Sequence, residues 1–145
     1  MGTAVIEGMK LSLKEDMSRV ALVVDDSMLI RHSVCRFLEE RGFIVEAATN
    51  GQEAIEILGT VLPDIVITDL QMPKMTGSEL LTRLKEKPLT AKIPVVILAG
   101  RSVSKEAAET RADFTIYKDI DIEAQIAKAL FSVLGETPTS QPVRG

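Results

Sequence analysis

The sequence predicts an α/β protein built on an open, five-stranded parallel sheet with helices on both faces. Two observations lead there. Short aliphatic runs alternate with segments of helical spacing along residues 20–134. The runs are rich in Val and Ile and mostly lack polar alternation, which is how strands buried on both faces read. Strand and helix in strict alternation then call for a parallel sheet with right-handed crossovers.

The first run, Val20–Val24, ends in Asp25 and Asp26. Behind it Ile30, Val34, Phe37 and Leu38 share one helical face, and Gly42 stands where a left-handed glycine closes a helix. Runs at 43–47, 64–68, 94–98 and 114–117 supply the other strands. Between the second and third, "NGQE" offers Asn50 as an N-cap, with Glu53 three residues on as its capping-box partner. Asp121 caps a last helix that carries Ile122, Ile126, Ala129, Leu130 and Val133 on one stripe. Residues 19–134 therefore read as one domain without internal repeat. Residues 1–18 read as a leader or an extra helix. Residues 135–145, "GETPTSQPVRG", are a polar, Pro-containing tail or linker stub, expected to be disordered.

Composition narrows the function. A chain of 145 residues suits a single domain, and its 46% apolar content can build a core. With 17 basic against 21 acidic residues the net charge is −4, which argues against a nucleic-acid surface, since that needs clustered Lys and Arg. Aromatics are 3% and Trp is absent, so no stacking platform for bases is expected. No apolar run approaches the roughly 20 residues that cross a bilayer, so no membrane partner is expected. The first residues lack the basic-then-apolar pattern of a signal peptide. Cys35 is the sole cysteine, which excludes an internal disulfide and makes a cytoplasmic location the default.

In open α/β sheets the site lies outside the carboxyl ends of the strands. Asp25 and Asp26 end the first strand, Asp69 the third (in "DIVITDLQMP") and Lys118 the fifth (in "FTIYKDI"). These side chains are placed to converge on one rim. Three carboxylates within about 4–6 Å repel by several kcal/mol at intermediate dielectric. Without a cation, at least one should have a raised pKa. A hard divalent cation resolves the conflict: magnesium takes carboxylate, water and phosphate oxygens. Lys118 adds a compact positive charge opposite it. Asp69 could then act as a nucleophile, since carboxylates form aspartyl phosphates, in a transfer that needs little beyond positioning and charge stabilisation. The plainer reading of each acid is a cap, with Ser27 or Asp26 serving the first helix. His32 reads as a solvated helix residue; no second His or Cys supports a zinc set.

The stretches "LVVDDSMLIR", "NGQEAI", "DIVITDLQMPKMTG", "IPVVILAG" and "IYKD" resemble the receiver domain of bacterial response regulators, of the single-domain chemotaxis type. The resemblance covers residues 19–134. It implies a flavodoxin-like three-layer sandwich with strand order 2-1-3-4-5, and Gly77 opening a helix. It implies Asp69 as the phosphoacceptor, served by a phosphohistidine on a histidine kinase or histidine phosphotransfer protein. Mg2+ would be held by Asp26, Asp69 and the backbone carbonyl of Gln71, with Asp25 acting through metal-bound water. Lys118 would pair with the phosphoryl group. The signal would pass to a downstream protein not identifiable from sequence, so the chain would be a signalling module and not an enzyme. Gln71 and Arg101 would tune hydrolysis.

The chain departs from that pattern at three places. Ala99 stands where the family has the Thr or Ser that bonds a phosphoryl oxygen. A methyl forfeits one charge-assisted bond of about 1.5–3 kcal/mol, against a typical allosteric coupling of about 1–3 kcal/mol. The Gly100 N–H remains a donor, and Ser102 a more remote substitute. Thr115 replaces the switch aromatic, while Tyr117 lies on the same side by strand period but nearer the rim. Asp119 follows Lys118 in place of Pro, so a trans bond is expected, because a non-proline cis bond costs about 2.5–4 kcal/mol. The stretch from Ala99 to Lys118 is also a few residues short, which predicts a short or reoriented fourth helix. Two functions compete: a phosphoacceptor switch, and a degenerate receiver that docks a protein independently of phosphorylation. A phosphohydrolase would need a D-x-D nucleophile loop at the site and a cap insertion, and neither is seen; a flavin phosphate would be repelled by the acidic first loop, where such sites use Ser, Thr and backbone N–H groups.

Overall fold

The computed structural model describes residues 19–100, 111–119 and 121–135. Along them run β1 (Val20–Val24), α1 (Met28–Glu40), β2 (Ile44–Ala48), α2 (Gly51–Leu58), β3 (Ile65–Asp69), α3 (Gly77–Lys85), the single-turn α4 (Pro88–Ala91), β4 (Val95–Ala99), β5 (Phe114–Tyr117) and α5 (Ile122–Leu134). The strands form one sheet in the order β2-β1-β3-β4-β5, every neighbouring pair parallel. This is the flavodoxin-like sandwich anticipated above. The expectations for residues 1–18 and 136–145, for the short fourth helix after β4, and for Arg101 and Ser102 fall outside the described residues.

Residue parity divides the core. Val23, Ile67 and Leu98 face α1 and α5, where they meet Val34, Leu38, Ile126 and Leu130. Leu22, Val66 and Ile97 face the other way, against Ala54 of α2 and Leu80, Leu81 and Leu84 of α3. β3 and β4 are buried along their whole length and β1 from Ala21 onward. Such burial removes about 25 cal/mol per Å² of apolar surface from water and fixes the height at which each strand ends.

Three strands begin and end one residue later than the aliphatic runs predicted, each for a local reason. The Phe43 N–H closes α1 by bonding the Leu38 carbonyl at 3.1 Å. Asp64 bridges to β1 through its side chain, accepting the Val20 N–H at 2.8 Å. Pro94 has no N–H to give the ladder. The shift brings Asp69 and Ala99 inside β3 and β4 as their last residues.

The caps decide the loops around the rim. Ser27, not Asp26, caps α1, its Oγ accepting the Ile30 N–H at 3.3 Å. Gly42 adopts the left-handed conformation at φ 93°. Asn50 accepts from the Glu53 N–H at 2.9 Å, but the Glu53 carboxylate returns to the Thr49 N–H at 2.7 Å, one residue before the expected partner. The hydrogen bonds from Thr49 hold the Glu53 carboxyl below its ordinary value. Asp121 caps α5 by accepting from Ala124 at 3.1 Å. α3 has a complete capping box between Thr76 and Glu79, with bonds of 3.1 and 2.8 Å.

Gly77, first residue of α3, lies directly against the end of β3. Its N–H donates to the Leu70 carbonyl at 2.9 Å. A Cβ there would overlap the Asp69 carbonyl oxygen and stand 2.9 Å from Leu70 Cα, both backbone atoms that cannot swing aside. Gly77→Ala should therefore destabilise the protein by about 1–3 kcal/mol, the usual cost of overpacking. A urea midpoint within error of the wild type would show that α3 can withdraw from β3 at no cost.

Candidate functional site

The carboxyl ends of β1, β3 and β5 bring together residues distant in sequence. Val24 is in register with Thr68, so the next residues, Asp25 and Asp69, sit side by side at the rim. Asp25 is 0% and Asp69 5% exposed, whereas Asp26 faces solvent. Lys118 follows β5, one strand beyond β4, and its Nζ lies 3.0 Å from Asp25 Oδ2 and 3.2 Å from Asp69 Oδ1. Its stem crosses the end of β4, leaving the side chain 20% exposed.

The first loop orients Asp25 from two sides. Its Oδ1 accepts the Ser27 N–H at 2.8 Å, and its backbone carbonyl accepts from Arg31 Nη1, also at 2.8 Å. Asp25 Oδ2 is buried without a well-angled hydrogen bond; its partner is the Lys118 ammonium. Oxygens of Asp25, Asp26 and Asp69 lie within 4.8 Å of one another. An all-oxygen, carboxylate-rich set with unused lone pairs suits a hard divalent cation such as magnesium.

Burial, and then the charge of Asp25, raise the Asp69 carboxyl above its ordinary value of 3.8, against the opposing pull of Lys118. For Lys118, burial works to lower the ammonium. The hydrogen bond and charge of Asp25, with those of Asp69, outweigh it and hold Lys118 above its ordinary 10.5. One lysine thus leaves the acid cluster incompletely neutralised.

The other predicted positions among the described residues lie along or just beyond β3, β4 and β5. Gln71 is exposed, and its N–H approaches Asp69 Oδ1 at 3.4 Å. The loop it opens is pinned by buried Met72 and Met75 and turns tightly at Lys74 (φ 72°), with the Met75 N–H on the Pro73 carbonyl at 2.7 Å. Ala99 is fully buried, and its carbonyl accepts the Lys118 N–H at 2.9 Å. Gly100 and Thr115 are half-buried. Tyr117 is in register with Ala99 and packs on the same core as α2 and α3. No cis peptide occurs among the described residues. His32 is exposed on α1.

Two contributors have no signature in the sequence reading. Arg31 reaches back six residues to the Asp25 carbonyl. Gln125, a polar residue beside the apolar stripe of α5, bonds both backbone groups of Tyr117, at 3.0 and 2.8 Å. Only its polarity next to that stripe offered a clue.

A doubly wound sheet with an acid cluster and a lysine at its carboxyl rim defines a class, and comparison with known proteins places the chain in it. The family model described as response regulator receiver domain matches residues 21–130, and the chain belongs to that family. It is 42% identical to a protein-glutamate methylesterase/protein-glutamine glutaminase of Treponema denticola, over 63% of this chain and 24% of that protein. It is 43% identical to the two-component response regulator ORR11 of Oryza sativa subsp. indica, over 57% of this chain and 56% of that one. With the phosphate regulon transcriptional regulatory protein PhoB of Escherichia coli (strain K12) it shares 33% identity over 77% of this chain and 50% of that one. The chain therefore spans less than two thirds of the length of these relatives. Among solved structures it is similar to the signal receiver domain of a signal transduction histidine kinase from Syntrophus aciditrophicus (TM-score 0.73, 28% identity, 88% of this chain and 97% of that one). It is also similar to the chemotaxis response regulator CheY4 of Vibrio cholerae (TM-score 0.72, 28% identity, 81% and 99%).

The raised Asp69 carboxyl has a consequence for stability. The folded state holds that proton more tightly than the unfolded chain, so its ionisation costs stability as pH rises from the unfolded value of 3.8 through the folded one. In metal-free buffer, Asp69→Asn should gain stability relative to the wild type across that window and keep the advantage to neutral pH. Urea midpoints at a series of pH values check this; a difference that is flat or falls with pH would contradict it.

Proposed function

We propose that the domain, residues 19–134, accepts a phosphoryl group on Asp69 from a histidine kinase or histidine phosphotransfer protein, and signals by binding a downstream protein. The observation that carries this is the ammonium of Lys118 at 3.0 and 3.2 Å from Asp25 and Asp69, beside carboxylate oxygens within 4.8 Å of one another. In the transfer an Asp69 oxygen forms a bond to phosphorus while the P–N bond to the donor imidazole breaks, its electron pair leaving with the ring nitrogen. Lys118 receives a phosphoryl oxygen as a counter-charge, and the pinned first loop keeps Asp25 and Asp26 in place. Asp26, Asp69 and the Gln71 carbonyl would hold magnesium, with Asp25 acting through water; when bound, the ion neutralises the carboxylates and the incoming phosphoryl oxygens. The Gln71 amide would orient water for hydrolysis, and Arg101 would modulate it. On this reading the chain is a signalling module and not a turnover enzyme, and it works in the cytoplasm. Among the described residues no helix is long and apolar enough to cross a membrane.

A second reading is favoured by Ala99, whose buried methyl stands where the family places a hydroxyl. A receiver lacking that bond could dock its partner whether or not Asp69 is modified. NMR spectra with and without beryllofluoride and magnesium separate the two: shifts at Gly100, Thr115 and Tyr117 indicate switching, and identical spectra there indicate docking alone.

Incubation with acetyl phosphate and magnesium should add the mass of one phosphoryl group to the intact chain, and Asp69→Asn should abolish the adduct. Absence of the adduct in the wild type, or its survival in the variant, would sink the phosphoacceptor reading. Magnesium alone should stabilise the wild type by about 1.4 kcal/mol at ten times its dissociation constant, and less in Asp26→Asn, as thermal unfolding with and without the ion will report.

A further inference from the structure

β5 is an edge strand, and the Lys118 N–H points inward to the Ala99 carbonyl of β4 at 2.9 Å. The backbone groups of the preceding residue, Tyr117, therefore face outward, where no strand among the described residues pairs them. Gln125, in the first turn and a half of α5, occupies that place. Its Nε2 donates to the Tyr117 carbonyl at 2.8 Å and its Oε1 accepts the Tyr117 N–H at 3.0 Å. A side-chain amide offers the same donor and acceptor as a peptide group, so Gln125 acts as a strand one residue long. The main chain at 117–118 is thus held from both sides, by β4 within the sheet and by α5 outside it.

The residue this fixes is Lys118. A proline after it would restrict the main chain by its own ring, but Asp119 stands there, and no cis bond shapes the turn. We propose that Gln125 is the positioning residue for Lys118: its clamp on Tyr117 sets where the ammonium stands over Asp25 and Asp69, and couples any displacement of that ammonium to α5. The proposal rests on the reading above, in which Lys118 meets the phosphoryl group, but the placement of Lys118 can be measured without phosphorylation.

The test uses the whole chain and compares Gln125→Leu, which loses both bonds, with Gln125→Glu, which keeps the acceptor and loses the donor. By NMR, Gln125→Leu should speed exchange of the Tyr117 amide about tenfold and move the Lys118 Cε–Hε signals toward those of free lysine, with Gln125→Glu in between. Beryllofluoride binding with magnesium should weaken about 3- to 10-fold in Gln125→Leu. In a Lys118→Ala background the same change should have no further effect, because the clamp acts through Lys118. Unchanged Lys118 signals in a folded Gln125→Leu, or an additive loss in the Lys118→Ala background, would overturn the proposal and leave Gln125 a simple tether of α5. If the wild type fails to bind beryllofluoride, the phosphoacceptor reading falls, and the Lys118 signals still decide whether the clamp exists.

Discussion

The contact between one ammonium and two carboxylates at the carboxyl edge of the sheet is the constraint around which the site is arranged. Lys118 reaches from β5 across β4 to Asp25 and Asp69, so the ends of β1, β3 and β5 must stand at one height. A slip of one residue in any of them would turn its side chain to the opposite face. Taking such charges out of water costs several kcal/mol per ion, and one lysine faces two buried acids, Asp25 and Asp69, with the exposed Asp26 beside them. Burial, and then the charge of Asp25, push the Asp69 carboxyl up despite Lys118. Oxygens of the three acids within 4.8 Å of one another could hold a cation there.

Holding mismatched charges together requires a stiff surround, and the structure supplies it through backbone contacts. The first loop is held by the Ser27 N–H on Asp25 and by Arg31 on the Asp25 carbonyl. The loop after Asp69 is drawn in by the Gly77 N–H on Leu70, where α3 begins so close that only glycine fits. β1, β3 and β4 are buried on both faces, so this part of the rim rests on packed core and inherits its rigidity. Asp25, held at its carboxylate and its carbonyl, is thus kept beside Asp69.

Much of this was legible in the sequence because burial and charge leave strong local marks. Aliphatic runs without polar alternation gave the sheet, and acids placed where such runs stop pointed to its carboxyl edge. The aliphatic pattern sets strand starts one residue early at Phe43, Asp64 and Pro94, since hydrogen-bond partners and not hydrophobicity decide where a ladder starts. Glu53 was expected to return to Asn50 but bonds Thr49, a choice set by side-chain reach. The roles of Arg31 and Gln125 are hidden for a deeper reason, the polarity of Gln125 beside an apolar stripe being the one hint. Each acts on a backbone group elsewhere in the chain, and a side chain that bonds a backbone group leaves no periodic trace in the residues around either partner.

Ala99 raises the question of how a signal could leave the site without a hydroxyl. The backbone offers a route that does not need one. The Ala99 carbonyl holds the Lys118 N–H, and the adjoining Tyr117 peptide groups are held by Gln125 on α5. An ammonium drawn from two carboxylates toward a phosphoryl oxygen would pull on a main chain fastened at both sides, and the outer fastening belongs to a helix. Two neutral hydrogen bonds are together worth about 1–3 kcal/mol net, the same range as a typical allosteric coupling. On the proposed reading, the end of β5 therefore offers a backbone connection between the Lys118 ammonium and α5 that does not pass through the Ala99 side chain.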